Sequence, residues 1–185
     1  MLVHGTMPAA IRLLGSLALL GAVLTAAPSA GAWERQWRLG GEAGWGLIGL
    51  SEGSLNGFIG GAHLSYGLSD AFNLRINADV AAFDRPPPAS YALLWSGTAG
   101  IEYVLDIMDW VPYVGVAAGP MGVFKAAERH DVYLGFEIPV GLGYQLLPEL
   151  TVGAEFRYRL LLLGTDVGPV PLMTVLGRAE YVFGD

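Results

Sequence analysis

The chain contains no cysteine among its 185 residues. A disulfide framework, a thiolate zinc site and a cysteine nucleophile are therefore excluded. Charge is scarce as well, at 15% of residues, and its 10 basic residues are outnumbered by 17 acidic ones. Nucleic-acid binding is left without the basic footprint it needs. Beyond the N-terminus there is no run of the roughly 18 apolar residues that a helical membrane span requires. Disorder is excluded too, because a disordered chain combines low hydrophobicity with high charge, and here 53% of residues are hydrophobic. What is present is a very apolar chain with 27 glycines, short enough for one domain.

The first 32 residues read as a secretory signal peptide. Arg12 precedes an apolar run over residues 13–27, Pro28 breaks it, and Ala30-Gly31-Ala32 supplies the small residues of a cleavage site. Cleavage is expected after Ala32, which leaves residues 33–185 as the folded domain. With no cysteine at that site, a lipid-anchored form is excluded.

Those residues divide into eight segments in which polar and apolar residues alternate: 37–47, 56–66, 72–82, 91–105, 110–124, 132–144, 151–163 and 172–183. A period of two is the mark of a strand with two different faces. Helix fails as an alternative, since each interior glycine costs about 1 kcal/mol relative to alanine. Turn-forming clusters separate the segments. The links after the second, fourth and sixth segments read as tight, and those after the first, third, fifth and seventh as longer and more polar. The expectation is an all-β, eight-stranded, antiparallel, up-and-down barrel.

A soluble barrel buries its aliphatic face, whereas a membrane barrel turns that face to lipid. Three features select the membrane form. The polar face is too poor in charge for a solvated surface. Its charged members are Arg38, Arg75, Arg157, Arg159 and Arg178 against Glu42, Asp79, Glu102, Glu137, Glu155 and Glu180. These nearly balance and include no lysine. The planar guanidinium suits enclosed ion pairs, and enclosed charges must pair. They are expected to line the lumen together with His63, with Glu137 opposite Arg157 or Arg159. Next, aromatics gather at segment ends on the apolar face. Trp37, Tyr66, Phe72, Tyr103, Trp110, Tyr144, Tyr181 and Phe183 mark one girdle, and Trp45, Phe58, Tyr91 and Phe124 the other. Finally, the alternation of short and long links fits short periplasmic turns and longer external loops.

The stretch Gly-Leu-Gly-Tyr-Gln-Leu-Leu-Pro-Glu-Leu-Thr-Val-Gly-Ala-Glu-Phe-Arg-Tyr-Arg over residues 141–159 resembles a hairpin of bacterial outer-membrane β-barrel proteins of the OmpA/OmpX-like eight-stranded kind. Residues 112–119, Pro-Tyr-Val-Gly-Val-Ala-Ala-Gly, are similar to another strand of that family. The resemblance implies residence in the outer membrane of a Gram-negative bacterium. Its implied partners are the lipid bilayer and the outer-membrane assembly machinery, which reads a terminal aromatic residue. Phe183 is followed here by Gly184 and Asp185, so that signal is shifted by two residues. The family includes anchors, adhesins, small pores and a few lipid-modifying enzymes.

Signs of catalysis are thin. His130 lies beside Glu128, Arg129 and Asp131 in a charged link, with no serine close in sequence. The Glu137 and Glu155 carboxylates read as lumen ion pairs rather than as an acid/base couple. No phosphate loop, metal-ligand spacing or calcium loop occurs, so no cofactor is expected and no enzyme activity is assigned. The principal reading is a small structural or interaction protein of the outer membrane with its lumen filled by an Arg/Glu network. A narrow pore or small-solute transporter is the alternative, and a lipid-modifying enzyme a remote one. No ligand is identified.

Overall fold

The computed structural model describes residues 35–50, 53–84, 91–105, 107, 109–124, 131–162 and 168–183. The signal segment, the link residue His130 and the terminal Gly184 and Asp185 lie outside the described residues. Eight strands follow one another: β1 (Trp37–Leu50), β2 (Gly53–Gly67), β3 (Phe72–Asp84), β4 (Tyr91–Val104), β5 (Trp110–Phe124), β6 (Asp131–Leu147), β7 (Leu150–Leu162) and β8 (Pro169–Phe183). Each pairs antiparallel with its sequence neighbours, and β1 closes the ring on β8 with Trp37 opposite Phe183 and Glu42 opposite Arg178. Closure leaves no sheet edge, so every strand finds backbone partners on both sides. Among the described residues no helix is long and apolar enough to cross a membrane.

Side chains alternate between bore and exterior, most regularly along β3 and β8. The exterior is apolar. Ile76, Val116, Phe136, Val140 and Val175 stand exposed around its middle. The bore is filled in two zones. Charged side chains occupy its middle and, with a small buried cluster of Val104, Val111 and Tyr113, the end where β1 begins and β8 ends, here termed the turn end. The opposite, loop end holds a buried apolar layer of Ile59, Ala81, Phe83, Leu94, Met121, Leu161, Val170, Leu172 and Leu176. That layer is a departure from a lumen expected to be filled by an Arg/Glu network.

The strands at the first hairpin run longer than the alternation suggests. β1 extends to Leu50 and β2 begins at Gly53, so their link is residues 51–52 rather than a long loop. Gly53 has φ of 141°, a backbone state open to glycine. The links after β3, β5 and β7 span 85–90, 125–130 and 163–168, against 68–71 and 148–149 after β2 and β6. In the 68–71 turn, the Ser69 hydroxyl accepts a hydrogen bond from the Phe72 amide at 3.2 Å.

Close approach requires glycine at several inward positions, two of them beside members of the polar cluster. A Cβ on Gly141 would collide with the ring and hydroxyl of Tyr113, and one on Gly40 with the imidazole of His63. Tyr113 cannot swing away freely, since its hydroxyl donates to Glu155 at 2.7 Å and the Arg178 guanidinium sits 4.5 Å from its ring centre. Gly141→Ala is therefore expected to destabilise the barrel by about 1–3 kcal/mol through overpacking. Gly97→Ala, where an added Cβ meets nothing within 4 Å, should stay within about 0.5 kcal/mol. Urea unfolding of the two variants in detergent checks the difference.

Candidate functional site

The strand phases that put aliphatic residues outside bring the polar ones to the axis of the barrel, and they converge from all eight strands. β1 contributes Glu42, β2 His63, and β3 Arg75, Asn77 and Asp79. β4 contributes Thr98 and Glu102, β5 Tyr113, and β6 Glu137. β7 supplies Glu155, Arg157 and Arg159, and β8 Arg178 and Glu180. All of these are buried.

Arginine geometry organises the cluster. Arg75 donates from Nη1 to Glu102 at 2.6 Å and to Glu155 at 2.7 Å, from Nη2 to Glu42 at 2.9 Å, and from Nε to Asn77 at 2.6 Å. One guanidinium thus reaches carboxylates on three other strands. Arg157 donates from Nε to Glu155 at 2.6 Å, from Nη2 to Glu42 at 2.8 Å and from Nη1 to Asp79 at 3.3 Å. Arg159 grips Asp79 across the bore with both terminal nitrogens and donates from Nε to Glu137, its register partner on β6, at 2.8 Å. The other Glu137 oxygen accepts from Asn77 at 2.8 Å and Thr98 at 2.9 Å.

Toward the turn end, Arg178 donates to Glu155 at 3.1 Å and to Glu180. His63 places Nε2 2.7 Å from Glu180 and Nδ1 3.3 Å from Glu42. Arg38 is buried beyond them on β1. The lumen charges assigned from the sequence form one connected net through the bonds just described, and Arg38 adjoins it through its charge interaction with Glu180. Asn77, Thr98 and Tyr113 belong to it as well. They carry no formal charge and attract no notice in a search for ion pairs, yet each sits at the inward phase of its strand.

The arrangement ties strands together across the bore. Each of Glu42, Asp79, Glu102, Glu137, Glu155 and Glu180 contacts at least one guanidinium. A carboxylate so engaged lacks the freedom of a general base. Among the described residues no group of three or more His, Asp or Glu is arranged to hold a metal ion.

The aromatic residues assigned to the girdles lie as follows. At the turn end Trp37 packs on Tyr66 at 4.7 Å between ring centres, Phe72 on Tyr103 at 5.3 Å, and Trp110 on Tyr144 at 4.9 Å. Tyr181 and Phe183 stand exposed beside them. Tyr103 departs from an exposed collar, because it is buried. Phe72 covers it edge-on, and the β2–β3 turn is held against its strand by the Val104 amide donating to the Ala71 carbonyl at 2.8 Å. Toward the loop end Trp45 and Phe58 face each other in register, and Phe124 is exposed. The side chain of Tyr91 lies outside the described residues.

Solved structures share this architecture. Neisserial surface protein A is 20% identical over 80% of this chain and 97% of its own, with a TM-score of 0.66. The N-terminal β-barrel domain of OprF from Pseudomonas aeruginosa is 12% identical over 81% of this chain and 98% of its own, with a TM-score of 0.55. The outer membrane protein OprG from the same organism is 11% identical over 83% and 99%, with a TM-score of 0.52. No family model and no curated protein matches the chain. The chain has the fold of small, eight-stranded transmembrane β-barrels of the outer membrane.

The Glu137–Arg159 pair is expected to be strongly coupled. Arg159→Met alone takes from the buried Glu137 its described guanidinium and from Asp79 one of two, and should cost about 3–5 kcal/mol. Adding Glu137→Gln should cost less than the sum of the single changes, with a coupling of about 1–3 kcal/mol. A double-mutant cycle of urea unfolding in detergent measures it, and additive effects would count against the pairing.

Proposed function

We propose that the protein is an integral outer-membrane β-barrel of a Gram-negative bacterium with a structural or interaction role, its lumen shut by the Arg/carboxylate net. One observation carries this reading. Arg75, Arg157 and Arg159 reach across the bore to carboxylates on strands they do not neighbour, and the apolar layer of Met121, Leu172 and Leu176 closes the space beyond them. Eight strands enclose a bore that side chains can fill, and long arginines do so here.

Residence in the bilayer is supported by the apolar exterior and by aromatic collars toward both ends of the strands. Indole and phenol rings favour the interfacial depth of a membrane. In this reading residues 1–32 direct export and are removed, and the turn end with both termini faces the periplasm. The aromatic-rich last strand, ending in Phe183, is presented to the outer-membrane assembly machinery. The net of engaged carboxylates supports a barrel without enzymatic activity or cofactor, and the acidic balance of the chain speaks against a nucleic-acid partner.

Two outcomes test this. The purified protein reconstituted in a planar lipid bilayer should show no stable conductance steps; large, persistent steps would replace the structural reading with the pore. Val140→Arg, on the outer face at mid-strand, should cost about 2–4 kcal/mol of stability in lipid. Folding yield into vesicles, read by strand content in circular dichroism, reports that loss. An unchanged yield would place this face away from lipid.

A further inference from the structure

At the loop end the inward face changes character. A cavity of about 170 Å³ remains there, and none of its described lining residues is charged. Every strand of the barrel contributes to its wall, which includes Ile48, Phe83, Leu94, Val123, Leu161 and Val170. Tyr133 apart, the lining side chains among the described residues are pure hydrocarbon. Below lie Met121 and Leu172, both fully buried, and below those the arginine net. The cavity is a cup with an opening and a floor.

A space of this kind is a poor home for water. A buried water needs two to four polar partners, and a cavity of ~150 Å³ lined by Leu, Ile and Phe stays dry and accepts benzene. The wall atoms also lack dispersion partners on the open side. A charged solute would lose its hydration and meet no opposite charge among the described lining residues. The cup is too small for a second copy of the chain, and Phe83 and Tyr133 in its wall are aromatic neighbours of the kind that favour a third ring. We propose that the loop-end cup is a blind binding site for one small, uncharged, single-ring aromatic molecule. The guest enters and leaves by the same mouth, since the floor separates it from the arginine net. This goes beyond the closed-barrel reading and does not depend on it, because conductance and occupancy are read separately.

The test uses the protein purified from membranes, placed in lipid nanodiscs with carbon-13 methyl labels on Leu and Val, and titrated with benzene. Leu94, Leu161 and Val170 methyls should shift along a saturating curve. Val116 and Val175, exposed on the outer face, should follow benzene dissolved in lipid without saturating. Ala92→Phe, which places a ring in the cup wall, should abolish the saturating component and leave the outer-face response intact; Val123→Phe serves if the first variant does not fold. Benzoate should produce no saturating shift. A non-saturating response of Leu94 in the unaltered protein would overturn the proposal, as when the chain's own links already fill the cup. So would saturation that survives both ring-bearing variants.

Discussion

The guanidinium of Arg75 bonds to carboxylates on β1, β4 and β7, and it can do so only if the phases of all those strands agree. A slip of one residue in any pairing would turn that strand's inward set to the outside. Arg75, Arg157 and Arg159 would then face unpaired carboxylates, and removing one partner from a buried pair is far more costly than never having built it. The net therefore acts as a register device for a closed sheet whose backbone alone would accept neighbouring registers. The glycines opposite Tyr113 and His63 belong to the same device, since they clear the space in which those side chains reach their partners.

The two zones of the bore divide the work of filling it. In the middle and toward the turn end, hydrogen bonds with fixed directions tie opposite walls together. At the loop end the filling is aliphatic and non-directional, held by packing among residues such as Ile59, Phe83, Leu161 and Leu176. Directional bonds leave little room for adjustment, whereas aliphatic side chains around a tapering mouth close imperfectly.

Strand count, order and facing were legible in the sequence because a period of two is local, and a barrel applies it without exception over most of each strand. Along β3, for instance, Leu74, Ile76 and Val80 point outward while Arg75, Asn77 and Asp79 point inward. Strand ends were less legible. At Gly53 and around Leu160, Leu161 and Leu162 the residues are apolar or small on both faces, so alternation no longer marks where pairing stops or which side a residue takes. For the same reason the inward apolar layer escaped notice, although extending the inward phase to Ile59, Phe83, Leu94 and Leu161 would have found it.

The sequence by itself determined that the chain alternates over eight segments, that its sparse charges share one face, and that arginines nearly balance carboxylates there. Glu137 and Arg159 were within its reach, because they are joined by a short hairpin. Contacts such as Arg75 with Glu155 and Arg159 with Asp79 span about half the chain and were decided by closure alone. Burial of Tyr103 and the shape of the loop-end cup were decided in the same way. Pairing between neighbouring strands follows from local pattern, but which side chains meet across a bore depends on strand tilt and stagger in the closed ring, and no local pattern encodes those.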